Sequence, residues 1–279
     1  MSSVTTDLPE ITVVSFNIQV GIGSHRARHM LLHGWRYVMP HGQSLKNLER
    51  IAAMLRGADI AGLNEADAGS FRSQFVNQAG FLAERAGFPY WEQQRTRDFG
   101  DLAQHSNSML SRWAIRSVDR HSLPSFMQGR GILETRHELY GHPLTVCITH
   151  LGLSRHARFD QVRDLAKRLQ GRRGVILMGD FNCTVRSPEM RLLLCESGLQ
   201  APPWSPPTFP SWAPRLAFDH ILCSPDLEFV SMESIPEPLS DHLAVRARLR
   251  FRPSAPADAD YPAPERAPAE RKDRLPDNP

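Results

Sequence analysis

The segment GVILMGDFN (Gly174–Asn182) runs four apolar residues into a glycine and then an acid, an aromatic and an amide. Side chains alternate faces along a strand, so Asp180 and Asn182 are predicted to share a face while Phe181 turns to the core. Two oxygen ligands side by side at a strand tip suit a hard cation or a phosphate oxygen. Five more segments end, or begin, on similar chemistry. SFN presents Asn17, LNE presents Glu65, ITH presents His150, FDH presents Asp219 with His220, and LSDH presents Asp241 with His242. A lone Asp or Asn at a strand end is usually a turn former. Six such segments in one chain are harder to explain one by one. If the strands lie in two packed sheets with these ends together, the side chains surround one cleft. A histidine held by a carboxylate has its tautomer and orientation fixed. Cys183 is predicted to face with Phe181, away from that cleft, and His220 to bond a loop carbonyl.

The elements that must position these groups follow from periodicity. Ile11–Val20 is rich in β-branched residues and reads as a strand. Leu45, Leu48, Ile51, Ala52 and Leu55 recur at helical spacing, with Gly57 placed to stop the helix. ADIAGLNEAD reads as a strand ending at Asn64 and Glu65, and a helix is predicted over Ser70–Ala86, closed by Gly87. NSMLSRWAIRSV, LTVCITHLG and GVILMGDFN read as strands. Between the last two lies a helix with Ser154 as N-cap. Its basic residues Arg155, Arg158, Arg163, Lys167 and Arg168 are read mainly as a solvated face. A helix over Pro188–Ser197, then FDHILCS, Leu227–Glu233 and DHLAVRARLRF, complete the ordered region.

Composition sets bounds on this reading. The chain has 279 residues, 41% hydrophobic and 23% charged, with a formal net charge of +3. That is an ordinary globular composition, and the weak charge permits a polyanionic partner without arguing for one. Cys147, Cys183, Cys195 and Cys223 lack CxxC spacing and read as reduced thiols. No leader pattern and no apolar run of membrane-spanning length is visible, so a cytoplasmic location is expected. Residues 1–10 read as an extension and 11–251 as the catalytic domain. Residues 252–279, built mainly of Pro, Ala and charged residues, read as a disordered tail. In the segment 21–44, His25, His29 and His33 have the spacing of one helix face. A polar or substrate-facing loop is the preferred reading there, with a second metal site as the alternative.

The ordered series VVSFNIQ, GLNEAD, SNSMLSR, ITHLG, LMGDFN, FDHILCS and LSDHLAV resembles the endonuclease/exonuclease/phosphatase superfamily. The resemblance covers about Ile11 to Phe251, and GDFN with a later SDH is its most specific pair. It implies an α/β fold, a four-layer αββα sandwich of two mainly antiparallel sheets with the site at one end of the β layers. It implies Glu65 as principal Mg²⁺ ligand, Mn²⁺ being an alternative ion, with Asn17 beside it and Asp241 as a further ligand or supporting carboxylate. Asp180 would orient or deprotonate the attacking water, and Asn182 would hold a phosphate oxygen or the nucleophile. His242 would contact the scissile phosphate or transfer a proton, with Asp219 accepting its ring N–H. His150 would be a second proton donor or phosphate contact, and Asn107 would sit by the substrate phosphate. Where the family often has Gln before the glutamate, this chain has Asn64, a change expected to affect orientation rather than metal binding.

The chemistry stands independently of the resemblance. Mg²⁺ takes one or two carboxylates plus waters and substrate phosphate, and lowers the pKa of a bound water. Such machinery attacks nucleic acids, lipid headgroups and soluble phosphate esters alike, and substrate choice lives in loops. A nuclease or phosphodiesterase is expected first, a hydrolase of a phospholipid headgroup or small phosphorylated metabolite second, and a non-catalytic binding module of the same fold last. Three loops bear on that choice: the His-rich segment, His121–Gly131 with Arg130 as a phosphate contact, and the proline-rich run before Asp219. The last carries Trp204, Phe209, Trp212 and Arg215, read either as base- or lipid-contacting groups or as a stiff flap. Contact with a membrane surface is therefore left open, and the oligomeric state is not fixed by the sequence.

Overall fold

Alternation along the strands decides the layers. In the strand Glu10–Asn17 (β1), Val14 and Phe16 belong to one apolar cluster, and Ile11 and Val13 belong to another. The same division recurs in Val175–Asp180 (β8), where Ile176 and Met178 separate from Val175 and Leu177. A strand apolar on both faces must be covered on both. The computed structural model, which describes residues 10–21, 43–73, 75–98, 104–125 and 129–252, shows how.

The remaining strands are Ile60–Asp67 (β2), Tyr90–Asp98 (β3), Gln104–Ser111 (β4), Ser117–Ser122 (β5), Gly131–Leu139 (β6), His142–His150 (β7), Asp219–Cys223 (β9), Leu227–Ser234 (β10) and Val245–Phe251 (β11). They form a six-stranded sheet, β10-β11-β1-β2-β4-β3, and a five-stranded sheet, β5-β6-β7-β8-β9. Each sheet is antiparallel except for one parallel pair, β1 with β2 and β7 with β8. Parallel neighbours need a crossover. The helices Gln43–Leu55 (α1) and Arg155–Leu169 (α3) lie in those two crossovers. With Gln78–Ala86 (α2) and Pro188–Ser197 (α4), they cover the outer faces. Leu48, Ile51, Leu55 and Leu82 pack with Phe16 and Leu63 on the first sheet, and Val162, Leu165 and Leu193 pack with Leu177 on the second. Between the sheets lie Val13, Ile60, Met109, Val146, Ile148, Ile176, Met178 and Ile221. Each large aliphatic side chain buried this way stabilises the fold by about 1.5–3 kcal/mol. The expected αββα sandwich is the fold observed.

Several boundaries differ from the sequence expectation. β1 stops at Asn17, and Val20 lies in a short 3₁₀ turn with φ 55°. Leu45, placed on the apolar stripe of α1, is 40% exposed. The helix expected from Ser70 begins only at Gln78, capped by the Asn77 side chain on Gly80 N–H. The reason is Asp67, whose buried carboxylate accepts from the N–H groups of Gly69 and Ser70 and the hydroxyls of Ser70 and Ser73. That side chain supplies the partners a first helical turn would otherwise use. NSMLSRWAIRSV, expected as one strand, is divided between β4, which ends at Ser111, and β5, which begins at Ser117 in the other sheet, and β3 and β6 fall on stretches not read as strands. The histidines of the 21–44 segment, residues 1–9 and the tail from 253 lie outside the described residues.

Candidate active site

The inter-sheet stripes run directly into the polar groups. On β1 the inward series Val13 and Ser15 ends at Asn17. On β7, Val146 and Ile148 lead to His150, and on β8, Ile176 and Met178 lead to Asp180. On β9, Asp219 precedes inward-facing Ile221 and Cys223. Two-residue periodicity therefore brings Asn17, His150, Asp180 and Asp219 to one end of the space between the sheets.

Glu65 needs a different device. Ala61 and Leu63 face the helices, so simple alternation would send Glu65 the same way. Instead the register slips between Asn64 and Ala66 against β4, leaving Glu65 as the extra residue of a bulge with φ 58°. A bulge re-aims a side chain, and here it brings Glu65 Oε1 to 3.9 Å from His150 Nδ1. The inward place goes to Asn64, which is fully buried. Its Oδ1 accepts from Asp180 N–H at 2.9 Å, and its Nδ2 donates to Asn107 Oδ1 at 2.9 Å and to the Thr149 carbonyl at 3.1 Å. Gly179 makes that approach feasible: a Cβ there would stand 1.8 Å from the Thr149 carbonyl oxygen and 3.1 Å from Asn64 Oδ1.

The ionisable groups form a continuous series. His242 Nδ1 lies 2.7 Å from Asp219 Oδ2. His242 Nε2 lies 3.8 Å from Asp180 Oδ2, and the same oxygen is 3.4 Å from His150 Nε2. Asn17 Nδ2 donates to it at 3.2 Å. Burial opposes charge on His242, but the carboxylates of Asp219, Asp180 and Asp241 outweigh it and raise its pKa well above the usual imidazole range. Burial raises the Asp180 pKa, with His242 pulling the other way and Asp219 adding to the rise. Burial also raises Glu65, and the charge of Asp241 raises it further. Asp241 is itself raised, chiefly by burial.

These groups fit a divalent cation. Asp180, Asp219 and His242 each offer a ligand atom, and the three atoms lie within 4.8 Å of one another. Asp219 Oδ1 is buried and has no hydrogen-bond partner among the described residues. Glu65 and Asp241 disfavour each other's charge, a cost that a cation placed near them would offset.

Other expected residues are placed differently. β8 ends at Asp180, so strand alternation does not govern Asn182. Asn182 lies in a turn with φ 51°, its N–H donating to Asp180 Oδ1 at 2.9 Å and its Nδ2 to the Leu151 carbonyl at 3.0 Å. Asn tolerates this left-handed conformation, and the turn fixes the Asp180 carboxylate from below. Asn107 is 1% exposed, and its amide is engaged by Asn64 and by the Gly131 carbonyl at 3.1 Å. In this position Asn107 ties the six-stranded sheet to the five-stranded one. His220 Nε2–H donates to the Cys183 carbonyl at 2.8 Å and stacks edge-on with Phe181, a structural placement as anticipated. Cys183 packs in the outer apolar cluster, and burial pushes its thiol up to about 11. Among the basic residues of α3, Arg158 and Arg155 reach the buried Glu189 and Arg168 pairs with Asp164.

The proline-rich run acts as a buttress. Phe209 stacks on Phe218 and lies 4.9 Å from the His242 ring, centroid to centroid. Ser211 N–H donates to the Asp241 carbonyl and Leu243 N–H to that of Thr208. Trp204 is 61% exposed and Arg215 is exposed. The order of aromatic and acid in sequence signalled this loop, but not that its phenyl ring would wall in a histidine further along the chain.

Residues 14–242 match the model of the Endonuclease/Exonuclease/phosphatase family. The chain belongs to that family. No curated sequence matches it. Among solved structures it is similar to an endonuclease/exonuclease/phosphatase from Beutenbergia cavernae, at TM-score 0.69 and 20% identity over 87% of this chain and 72% of that one. It is also similar to the mannosyl-6-phosphatase Bt3783 of Bacteroides thetaiotaomicron, at TM-score 0.63 and 17% identity over 86% and 100%. D. rerio TDP2 complexed with a single-strand DNA product gives TM-score 0.64 and 17% identity over 87% and 99%. At these identities the likeness is one of fold. The family, the fold and the acid–imidazole cluster together support a metal-dependent phosphoesterase.

Proposed function

We propose that this chain is a Mg²⁺-dependent phosphodiesterase that cleaves phosphoric esters with an activated water, nucleic acid being its leading substrate class. One observation carries the reading. A single run of contacts links Asp219, His242, Asp180, His150 and Glu65, at 2.7, 3.8, 3.4 and 3.9 Å.

Glu65 and Asp241 would hold the cation, since oxygen ligands suit Mg²⁺; Asn17, whose Oδ1 accepts from Gln19 N–H at 3.1 Å, would join them through the second lone pair of that oxygen. The His242–Asp219 contact at 2.7 Å favours a hydrogen-bonded dyad over a pair of metal ligands. The bound ion would neutralise charge on a phosphoryl oxygen and lower the pKa of water. Asp180, oriented by Asn17, by Asn182 N–H and, through its own N–H, by Asn64, accepts the proton of the attacking water. His242 keeps Nδ1–H on Asp219 and presents Nε2–H to the phosphate. Its raised pKa supplies the positive charge that a pentacoordinate phosphorus needs. His150, between Glu65 and Asp180, donates to a second phosphate oxygen or to the leaving group.

The panel that tests this is Mg²⁺ with single- and double-stranded DNA, RNA, phospholipid vesicles, mannose 6-phosphate and bis(4-nitrophenyl) phosphate. Cleavage of a nucleic acid and the aryl diester, abolished by EDTA, is expected. Cleavage of the lipid or the sugar phosphate alone would replace the nuclease reading with the second one. No cleavage of any ester would leave a binding module.

A further inference from the structure

We infer that the cleft continues past the catalytic carboxylates into a second anion subsite, formed by Arg95, Thr96, Ser122, Ser125 and Arg130, which takes a further phosphate or carboxylate of the substrate. The inference deepens the phosphodiesterase reading and rests on it for the position of the scissile group.

Topology explains where the subsite lies. β3 is an edge of the six-stranded sheet and β5 an edge of the five-stranded sheet. Side chains stitch the two edges together. Gln94 Nε2 donates to the His121 carbonyl and Arg120 Nε to that of Gln93, both at 2.9 Å. Gly131 is required here, because a Cβ on it would stand 2.6 Å from the Gln94 amide and 2.7 Å from the His121 carbonyl. Gln94, only 8% exposed, thus forms a fixed floor. Above that floor the edges enclose a cavity of about 350 Å³ lined by Arg95, Thr96, Ser122, Leu123, Ser125, Gly129 and Arg130. A smaller cavity, of about 40 Å³, adjoins it and is lined by Glu65, His150, His105, Thr96, Gly129 and Arg130. Thr96, Gly129 and Arg130 line both.

The chemistry of the walls changes along this path. The inner end carries the carboxylate of Glu65. The outer cavity has two guanidinium groups and three hydroxyls and, among the described residues, no acid. Arg95 is exposed and forms no ion pair among the described residues. Guanidinium forks match phosphate and carboxylate oxygens, and the hydroxyls of Ser122 and Ser125 add donors, that of Thr96 already donating to the His105 carbonyl at 3.3 Å. An apolar ligand would offer the Arg95 guanidinium no acceptor. A substrate whose scissile phosphate meets the cation that Glu65 would hold, and whose second anionic group lies beyond Arg130, satisfies both ends. A phosphodiester chain and a doubly phosphorylated metabolite share this chemistry.

The test is calorimetric titration, in Mg²⁺, of the full chain carrying Asp180→Asn, so that the cation is present and turnover does not intervene, with two matched pairs of probes. One is thymidine 3′,5′-bisphosphate against thymidine 5′-monophosphate, the other fructose 1,6-bisphosphate against fructose 6-phosphate. The expected result is roughly tenfold tighter binding of the bisphosphate in at least one pair, the pair naming the source. Arg95→Ala should abolish that advantage and Arg95→Lys should keep part of it, with circular dichroism unchanged. Equal binding of mono- and bisphosphates in both pairs, or an advantage that survives Arg95→Ala, would overturn the subsite. Hydrolysis of bis(4-nitrophenyl) phosphate by the wild-type chain, measured separately, decides the phosphodiesterase reading without bearing on the subsite.

Discussion

Single residues carry this site through backbone positions that L-amino acids adopt with reluctance. Glu65 at φ 58° and Asn182 at φ 51° both sit in the left-handed region, one re-aiming a carboxylate and the other clasping a carboxylate with its N–H. Strain of this kind costs of order 1–3 kcal/mol per residue and gathers at functional sites. The residues that gather in the candidate site were legible in the sequence, because acids, amides and imidazoles at apolar strand ends stand out. The devices that aim them were not. A bulge inserts a residue without leaving a mark in the pattern, and Asn182 read as a strand residue because nothing in GDFN says where the strand ends. Asp219→Asn is expected to lower kcat by about 10²–10⁴-fold, through loss of the correct His242 tautomer, with little change in KM. Steady-state kinetics on an aryl diester would show it, and a change confined to KM would oppose it. Phe209, whose ring centroid lies 4.9 Å from that of His242, acts here as a positioning residue. Phe209→Ala is expected to lower kcat and shift the alkaline limb of the pH–rate profile, and Phe209→Leu should restore much of both; an unshifted profile would reduce Phe209 to packing.

Among the elements, the strands that feed the site were found from their apolar runs, whereas β3 and β6 were not. β3, Tyr90–Asp98, is an edge strand rich in Gln, Arg and Glu, so no core face shows in its sequence. β6 hides a buried Glu134 among its apolar residues, where Arg172 holds it at 2.8 and 3.0 Å. A charged residue in a strand reads as surface until its partner, distant in sequence, is known. Arg95, on the unrecognised β3, was missed for the same reason. The ties between elements make their own prediction. Asn64 joins β2 to β4, β7 and β8, and Asn64→Ala would strand a buried Asp180 N–H, an Asn107 amide oxygen and the Thr149 carbonyl. A loss of about 3 kcal/mol in urea unfolding is expected. Cooperative unfolding at the wild-type midpoint would show that the ties are dispensable.

At the level of the whole molecule, stability should depend on a histidine far from the chemistry. Burial pushes His137 down to about 4 from the usual 6.5 or so, and the ring is 3% exposed. Between those two values the unfolded chain binds a proton that the folded chain refuses. The contribution is therefore fully present above about pH 6.5 and falls as pH drops toward 4, by roughly 3 kcal/mol in all. Urea midpoints near pH 7 and near pH 4 should differ more in the wild type than in His137→Asn; identical differences would assign the acid sensitivity elsewhere. The sandwich itself was legible, since family motifs and alternating stripes agree on two covered sheets. Six distant segments converge where a cation would lie beside phosphorus, and crystals grown with Mn²⁺ and phosphate show whether one does. An anomalous peak is expected at about 2.0–2.3 Å from a Glu65 carboxylate oxygen, with phosphate between it and His242. A manganese peak elsewhere on the surface, with the space between Glu65, Asp180 and His242 vacant, would contradict it.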